Sequence, residues 1–187
     1  MKQDIMNIEK WLTLIPITEV ESLSHFFNEY EEYNKFLKED AKEYEKLNIS
    51  RTHILVNLQN GQILAYMSLV ADSVQLSRNE KEIVELGFIP FSTFPAMKIG
   101  KLAVDRDAKK RYSGIGSLMI RLARGFAANL NKKGIACRFL TIDADVEHNP
   151  NVTQFYMKNG FAANERLNNK NRVTVSMRKD IFVDENL

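Results

Sequence analysis

The sequence predicts a mixed α/β domain built around one central sheet, and three observations carry that prediction. Asn60-Gly61 separates two apolar runs, the strongest short-range signal of a β-hairpin. An apolar strand, Ile99–Val104, leads into the segment Arg111-Tyr112-Ser113-Gly114-Ile115-Gly116 and then into an amphipathic helix. A second strand–helix pair follows, and then an alternating last strand.

Taken in order, Ile17 to Leu47 reads helical, with Val20, Leu23, Phe27, Tyr30, Phe36 and Leu37 at apolar positions. Between Glu19 and Lys46 stand nine acidic residues against four lysines, which reads as a solvated helix face. The hairpin strands are His53–Leu58 and Ile63–Val70, joined through Gln59-Asn60-Gly61-Gln62. Residues 77–97 are polar, then rich in Phe and Pro, and read as a long, partly ordered connection. Beyond the glycines, Ile115, Leu118, Met119, Leu122 and Phe126 recur at helical spacing, so the loop opens a helix with a buried face. Cys137–Ile142 reads as a buried strand. Asn149-Pro150 then opens a helix, since Asn is a favoured N-cap and proline suits the first helical position. Gly160 ends that helix. Arg172–Met177 alternates as a strand should.

At 187 residues the natural expectation is one domain over residues 1–187. No apolar stretch approaches membrane-span length, and Met1–Met6 lacks a signal-peptide core. The lone cysteine, Cys137, excludes an internal disulfide and reads as a buried thiol. A cytoplasmic protein with no membrane partner is expected. The net charge of +2 hides an asymmetry: between Lys98 and Lys133 stand ten Lys/Arg against two Asp. That basic stretch surrounds the glycine loop, where a phosphate-bearing ligand would gain from it.

Glycines let backbone N–H groups approach a ligand closely, and the first turn of a helix leaves such groups unpaired. No Gly-Lys-Ser/Thr follows, which excludes a Walker loop, and the third glycine of a dinucleotide fold is missing. On its own residues the loop is equally a packing turn.

Two blocks point further. Arg111, Gly114 and Gly116 fit the pattern Gln/Arg-x-x-Gly-x-Gly/Ala. Asn149, Tyr156, Gly160 and Phe161 fit Asn followed seven residues later by Tyr and then x-x-x-Gly-Phe. With both in order, residues 50 to 180 resemble the GNAT superfamily of acyl-CoA-dependent N-acetyltransferases. More narrowly, Phe36-Leu37-Lys38 with Ala41, Tyr66-Met67-Ser68-Leu69, and Ile99–Asp105 are similar to the acetyltransferase toxins of bacterial toxin–antitoxin pairs. Those toxins acetylate the α-amine of aminoacyl-tRNA. Stand-alone acetyltransferases share the same blocks.

The resemblance implies a mostly antiparallel central sheet flanked by helices, with acetyl-CoA as co-substrate. It implies that the loop Arg111, Tyr112, Ser113, Gly114, Ile115, Gly116 and Ser117 holds the diphosphate. Leu102, Ala103 and Val104 would pair through their backbones with the pantetheine arm. Tyr156 would be the general acid that protonates the leaving thiolate, its alternative being a core tyrosine. Asn149 is either a coenzyme contact or an N-cap. The general base stays open among Asp143, Asp145, Glu147 and His148. An aminoacyl-tRNA amine, with a reference pKa of about 7.7–8.0, needs none. His25 and His53 lack partners at metal spacing, and no metal is expected. A homodimer and an antitoxin are partners suggested by resemblance alone. Protein or small-molecule amines are alternative acceptors, and a non-catalytic acyl-CoA-binding module is the alternative of a different class.

Overall fold

The computed structural model describes residues 2–165 and 173–183. The fold is mixed α/β, with a sheet in the strand order β2-β3-β4-β5-β7-β9-β8. Here β2 is Leu12–Pro16, β3 Arg51–Asn57, β4 Gln62–Gln75, β5 Thr93–Val104, β7 Phe139–Asp145, β8 Ala162–Ala163 and β9 Thr174–Asp180. Two further strands, β1 (Gln3–Asp4) and β6 (Tyr112–Ser113), pair in parallel apart from it. The registers are antiparallel for β2–β3, β3–β4, β7–β9 and β8–β9, and parallel for β5–β7. The helices are α1 (Glu31–Lys35), α2 (Ala41–Lys46), α3 (Arg78–Ile83), α4 (Arg106–Arg111), α5 (Ile115–Lys132) and α6 (Val152–Lys158). The chain forms two compact units: residues 1–70 with 99–122, and residues 71–98 with 123–187.

In the first unit, the expected helix from Ile17 to Leu47 is broken. Ile17–Glu19 form one 3-10 turn, and regular helix starts only at Glu31. Between them, side chains satisfy backbone groups that a helix would have used. The Asn28 N–H donates to Asn34 Oδ1 at 2.7 Å, Asn34 Nδ2 donates to the Asn28 carbonyl, and Asn28 Oδ1 accepts from the Tyr30 N–H. Helix α1 then passes through a π-helical turn, Phe36–Asp40, into α2. Leu23, Phe26, Phe36, Leu37 and Ala41 pack on Ile54, Ile63, Tyr66 and Ala103 from the sheet. The Phe26 and Tyr66 rings meet edge-on at 5.3 Å, and Phe36 stacks on Tyr66 at 6.0 Å. The Tyr66 hydroxyl donates to the Tyr33 carbonyl, and burial pushes its pKa upward. The acidic stretch is not all solvated: buried Glu45 accepts from the Thr52 N–H and from Arg51.

The hairpin forms where Asn60-Gly61 placed it. Asn57 pairs with Gln62, and the Gly61 N–H donates to the Asn57 carbonyl at 2.8 Å with Gly61 at φ +68°. β4 outruns its expected end at Val70 and reaches Gln75.

In the second unit, the expected connection 77–97 proves structured. Ser77 and Glu80 form a reciprocal capping box that starts α3, and strand structure resumes at Thr93. Val74, Leu76, Phe94, Ala96 and Phe139 form the core here, with Val84, Leu86 and Ile89 packed against it. Glu80 is buried and accepts from Arg178, from the Ser77 N–H and from the Glu165 N–H. β7 starts at Phe139, with buried Cys137 ahead of it, and burial pushes the Cys137 thiol upward in pKa. β9 covers the later part of the expected last strand. Arg172, where that strand was expected to start, lies outside the described residues.

Candidate functional site

In the first unit the glycine loop stands between α4 and α5. Asp105 at the end of β5 caps α4: its Oδ1 accepts from the N–H groups of Asp107 and Ala108 at 3.0 and 2.9 Å. Its other oxygen accepts from the Phe27 N–H, which fixes the preceding chain to the same point. Arg111, exposed, ends α4. Tyr112 turns inward and is buried, Ser113 is exposed, and Gly114 adopts φ +83°. The first helical bond of α5 runs from the Leu118 N–H to the Gly114 carbonyl at 2.9 Å. The N–H groups of Ile115, Gly116 and Ser117 therefore have no intrahelical acceptor. Ile115 is buried, Gly116 and Ser117 are half-buried, and no acidic residue stands in the first turn of α5. Such a terminus suits an anion such as a diphosphate.

The loop is backed by a segment that carried no short-range signal. β1 pairs with β6 in parallel, Gln3 opposite Tyr112 and Asp4 opposite Ser113. Ile5, only 1% exposed, follows, and Asp4 Oδ1 caps the 3-10 helix Ile5–Trp11 through the Met6 N–H. A two-residue strand has no periodicity, so nothing local in the sequence marked it.

Leu102, Ala103 and Val104 lie on β5, with Ala103 buried and its neighbours half-buried. The registered pairs of β5 with β7 cover Ala96–Lys98 and no residue further along β5. The Val104 carbonyl accepts from Asn28 Nδ2 at 2.9 Å, and a carbonyl retains a second lone pair.

The basic stretch around the loop is partly neutralised within this unit. Lys101 pairs with Glu32 at 3.1 Å and Lys109 with Glu29 at 3.4 Å, while Asp107 takes Lys110. Lys110 holds the Asp107 carboxyl below its ordinary pKa.

In the second unit Tyr156 sits on α6, buried, edge-on to Phe155 at 5.0 Å and Phe161 at 5.5 Å. Gly160, at φ +81°, ends the helix as expected. The start of α6 differs from expectation. Asn149 Oδ1 accepts from the Asn151 N–H at 3.1 Å and so forms a turn, and the helix begins at Val152. Asn149 is therefore not the N-cap. The cause lies upstream: Asp145 accepts from the backbone and ring of His148 and from the Asn149 N–H, and this holds 145–149 as a turn. Of the four base candidates, Asp143 is bound to Lys98 at 2.5 Å, Asp145 and His148 pair with each other at 2.6 Å, and Glu147 is exposed.

No family model matches the chain, and no curated protein matches its sequence. Solved structures do match. A tyrosine-to-phenylalanine mutant of KacT superposes with a TM-score of 0.69 at 21% identity, over 89% of this chain and 94% of that one. AtaT complexed with acetyl-methionyl-tRNAfMet gives 0.67 at 22% identity, over 88% and 93%. A mutant AtaT toxin bound to acetyl-CoA and the C-terminus of the antitoxin AtaR gives 0.65 at 20% identity, over 89% and 92%. The chain has the fold of these toxins. This is the GNAT fold that the two sequence blocks implied.

Proposed function

We propose that the protein is an acetyl-CoA-dependent N-acetyltransferase that transfers acetyl to a primary amine by direct attack in a ternary complex. Its acceptor is the α-amine of aminoacyl-tRNA. The observation that carries this reading is the left-handed Gly114 opening an 18-residue helix with no acid in its first turn, within a fold that KacT and AtaT share. The backbone N–H groups of Ile115, Gly116 and Ser117 take the diphosphate of acetyl-CoA, and exposed Arg111 adds charge. The backbone of Leu102, Ala103 and Val104 orients the pantetheine arm, and one N–H there polarises the thioester carbonyl.

The neutral amine attacks the thioester carbonyl. The C–N bond forms, the tetrahedral intermediate collapses with loss of the C–S bond, and the thiolate takes a proton from the Tyr156 hydroxyl. The spare amine proton goes to water, and water returns a proton to the Tyr156 oxygen before the next turnover. A phenol of reference pKa about 10 is protonated before the step and so is ready to donate. Holding donor and acceptor together supplies much of the remaining acceleration. An antitoxin is the expected protein partner on this reading, as AtaR is for AtaT.

Acetyl transfer from radiolabelled acetyl-CoA to an aminoacyl-tRNA pool tests the reading. Wild type labels the tRNA, and Tyr156→Phe lowers the rate by about 100-fold or more while coenzyme affinity stays the same. Label on proteins or small amines instead would redirect the acceptor. Coenzyme bound with no transfer to any amine would make this a non-catalytic binding module, and no coenzyme binding at all would overturn the assignment.

A further inference from the structure

We propose that Ile5 is a positioning residue for the diphosphate loop, acting through its Cγ2 methyl group on Gly114; this rests on the acyl-CoA reading above. A Cβ placed on Gly114 would lie 3.3 Å from Ile5 Cγ2 and 3.9 Å from Asp4 Oδ1. The methyl therefore occupies the side of Gly114 where any other residue would carry its side chain. Gly114 is the residue whose left-handed backbone turns the chain from β6 into α5, and its carbonyl accepts the first bond of that helix. A group pressed against it sets the direction of the three N–H groups that follow.

The support behind the methyl is itself fixed at several points. β1 pairs with β6 on the two residues immediately before Gly114. Asp4 spends its carboxylate on the Met6 N–H at 2.9 Å. Met6 Sδ then accepts from Arg121 Nη2 at 3.1 Å, which ties the same segment to α5 two turns beyond the loop. Ile5 and Ile8 are both buried, so the 3-10 helix is anchored through its apolar side. The loop is thus clamped from β6 and from α5 by one short segment, with Ile5 at the centre of the clamp.

Anion recognition by backbone N–H groups depends on their convergence, and a loop that loses its backing must be ordered by the ligand. The shape of Ile5 matters here more than its volume. Ile and Val both carry a Cγ2 methyl on a branched Cβ, whereas Leu matches Ile in volume without that branch.

The test is calorimetric titration with coenzyme A on wild type, Ile5→Val, Ile5→Leu and Ile5→Ala, with Ile8→Ala as a core substitution elsewhere in the same helix. Thermal melts identify the folded variants. Ile5→Val is expected to keep its Kd within about twofold, and Ile5→Leu and Ile5→Ala to weaken it about tenfold. Ile8→Ala is expected to lower the melting temperature without changing Kd. The proposal is overturned if Ile5→Leu binds as wild type does, or if Ile8→Ala weakens binding as much as Ile5→Ala. If wild type itself fails to bind coenzyme A, the functional reading fails, before any variant is compared.

Discussion

Gly114 and Gly61 both sit in the left-handed region, at φ +83° and +68°, yet their surroundings differ. A Cβ on Gly61 meets nothing within 4 Å, whereas one on Gly114 presses on Ile5. Left-handed backbone costs a residue with a side chain roughly 1–2 kcal/mol. Gly61→Ala is therefore expected to cost about that much in chemical denaturation and to leave coenzyme affinity alone. Gly114→Ala is expected to cost more, because the backbone penalty and the contact with Ile5 add, and to weaken coenzyme binding as well. Equal costs at the two positions would remove the special role of the Gly114–Ile5 contact. Among candidate site residues, the turn of the glycine loop into a helix was legible because it is written in adjacent residues. The expected cap at Asn149 fails because Asp145, its carboxylate on His148 and its backbone carbonyl on the Asn149 N–H, holds the chain in a turn past the point where the helix should have begun.

The clearest energetic test of an element concerns α3. Glu80 is the third helical residue of α3 and completes its capping box; it also forms a buried ion pair with Arg178 on β9. Arg178 in turn donates to the Ala163 carbonyl and to Asn164 Oδ1 at 3.2 and 2.9 Å, binding β8 to the same centre. Removing one partner of a buried pair leaves an uncompensated charge, at a cost of about 3–5 kcal/mol. Arg178→Met alone is expected to destabilise on that scale. The double replacement Glu80→Gln with Arg178→Met should recover part of the loss, as thermal unfolding of the four proteins would show. Purely additive losses would mean that the two charges do not act as a pair. The box Ser77-x-x-Glu80 is readable in the sequence, and the Phe- and Pro-rich stretch behind it masks it within what reads as a long, partly ordered connection. The break at Asn28 was not readable in the same way, since helical periodicity continued through it and only the exchange with Asn34 overrides that pattern. The strand pairing of Gln3–Asp4 with Tyr112–Ser113 bridges more than a hundred residues, and no local propensity reports it.

Across the whole molecule, 26 basic and 24 acidic residues nearly balance. The apparent separation into an acidic and a basic stretch is partly undone where Lys101 meets Glu32 and Lys109 meets Glu29. Association with a nucleic acid would then rest on the remaining cations and weaken as salt rises. Global stability should also depend on pH through His53. Burial holds its imidazole below the ordinary pKa, against the upward pull of Glu45 and with a smaller downward push from Arg51. The unfolded chain therefore binds a proton near pH 6.5 that the folded chain refuses. The resulting stability is complete above that value and is lost as pH falls through the lower folded pKa. Melting temperatures measured from pH 7.5 to 5.5 should fall less steeply in His53→Gln than in wild type, and identical slopes would exclude His53 as a contributor. The Glu80–Arg178 pair has a historical consequence as well. Its members stand 98 positions apart in the gene product, and neither can change alone without leaving a charge stranded in the interior. Lineages descending from this sequence should keep both or exchange both, so that a substitution at one position is a record of an earlier or simultaneous change at the other.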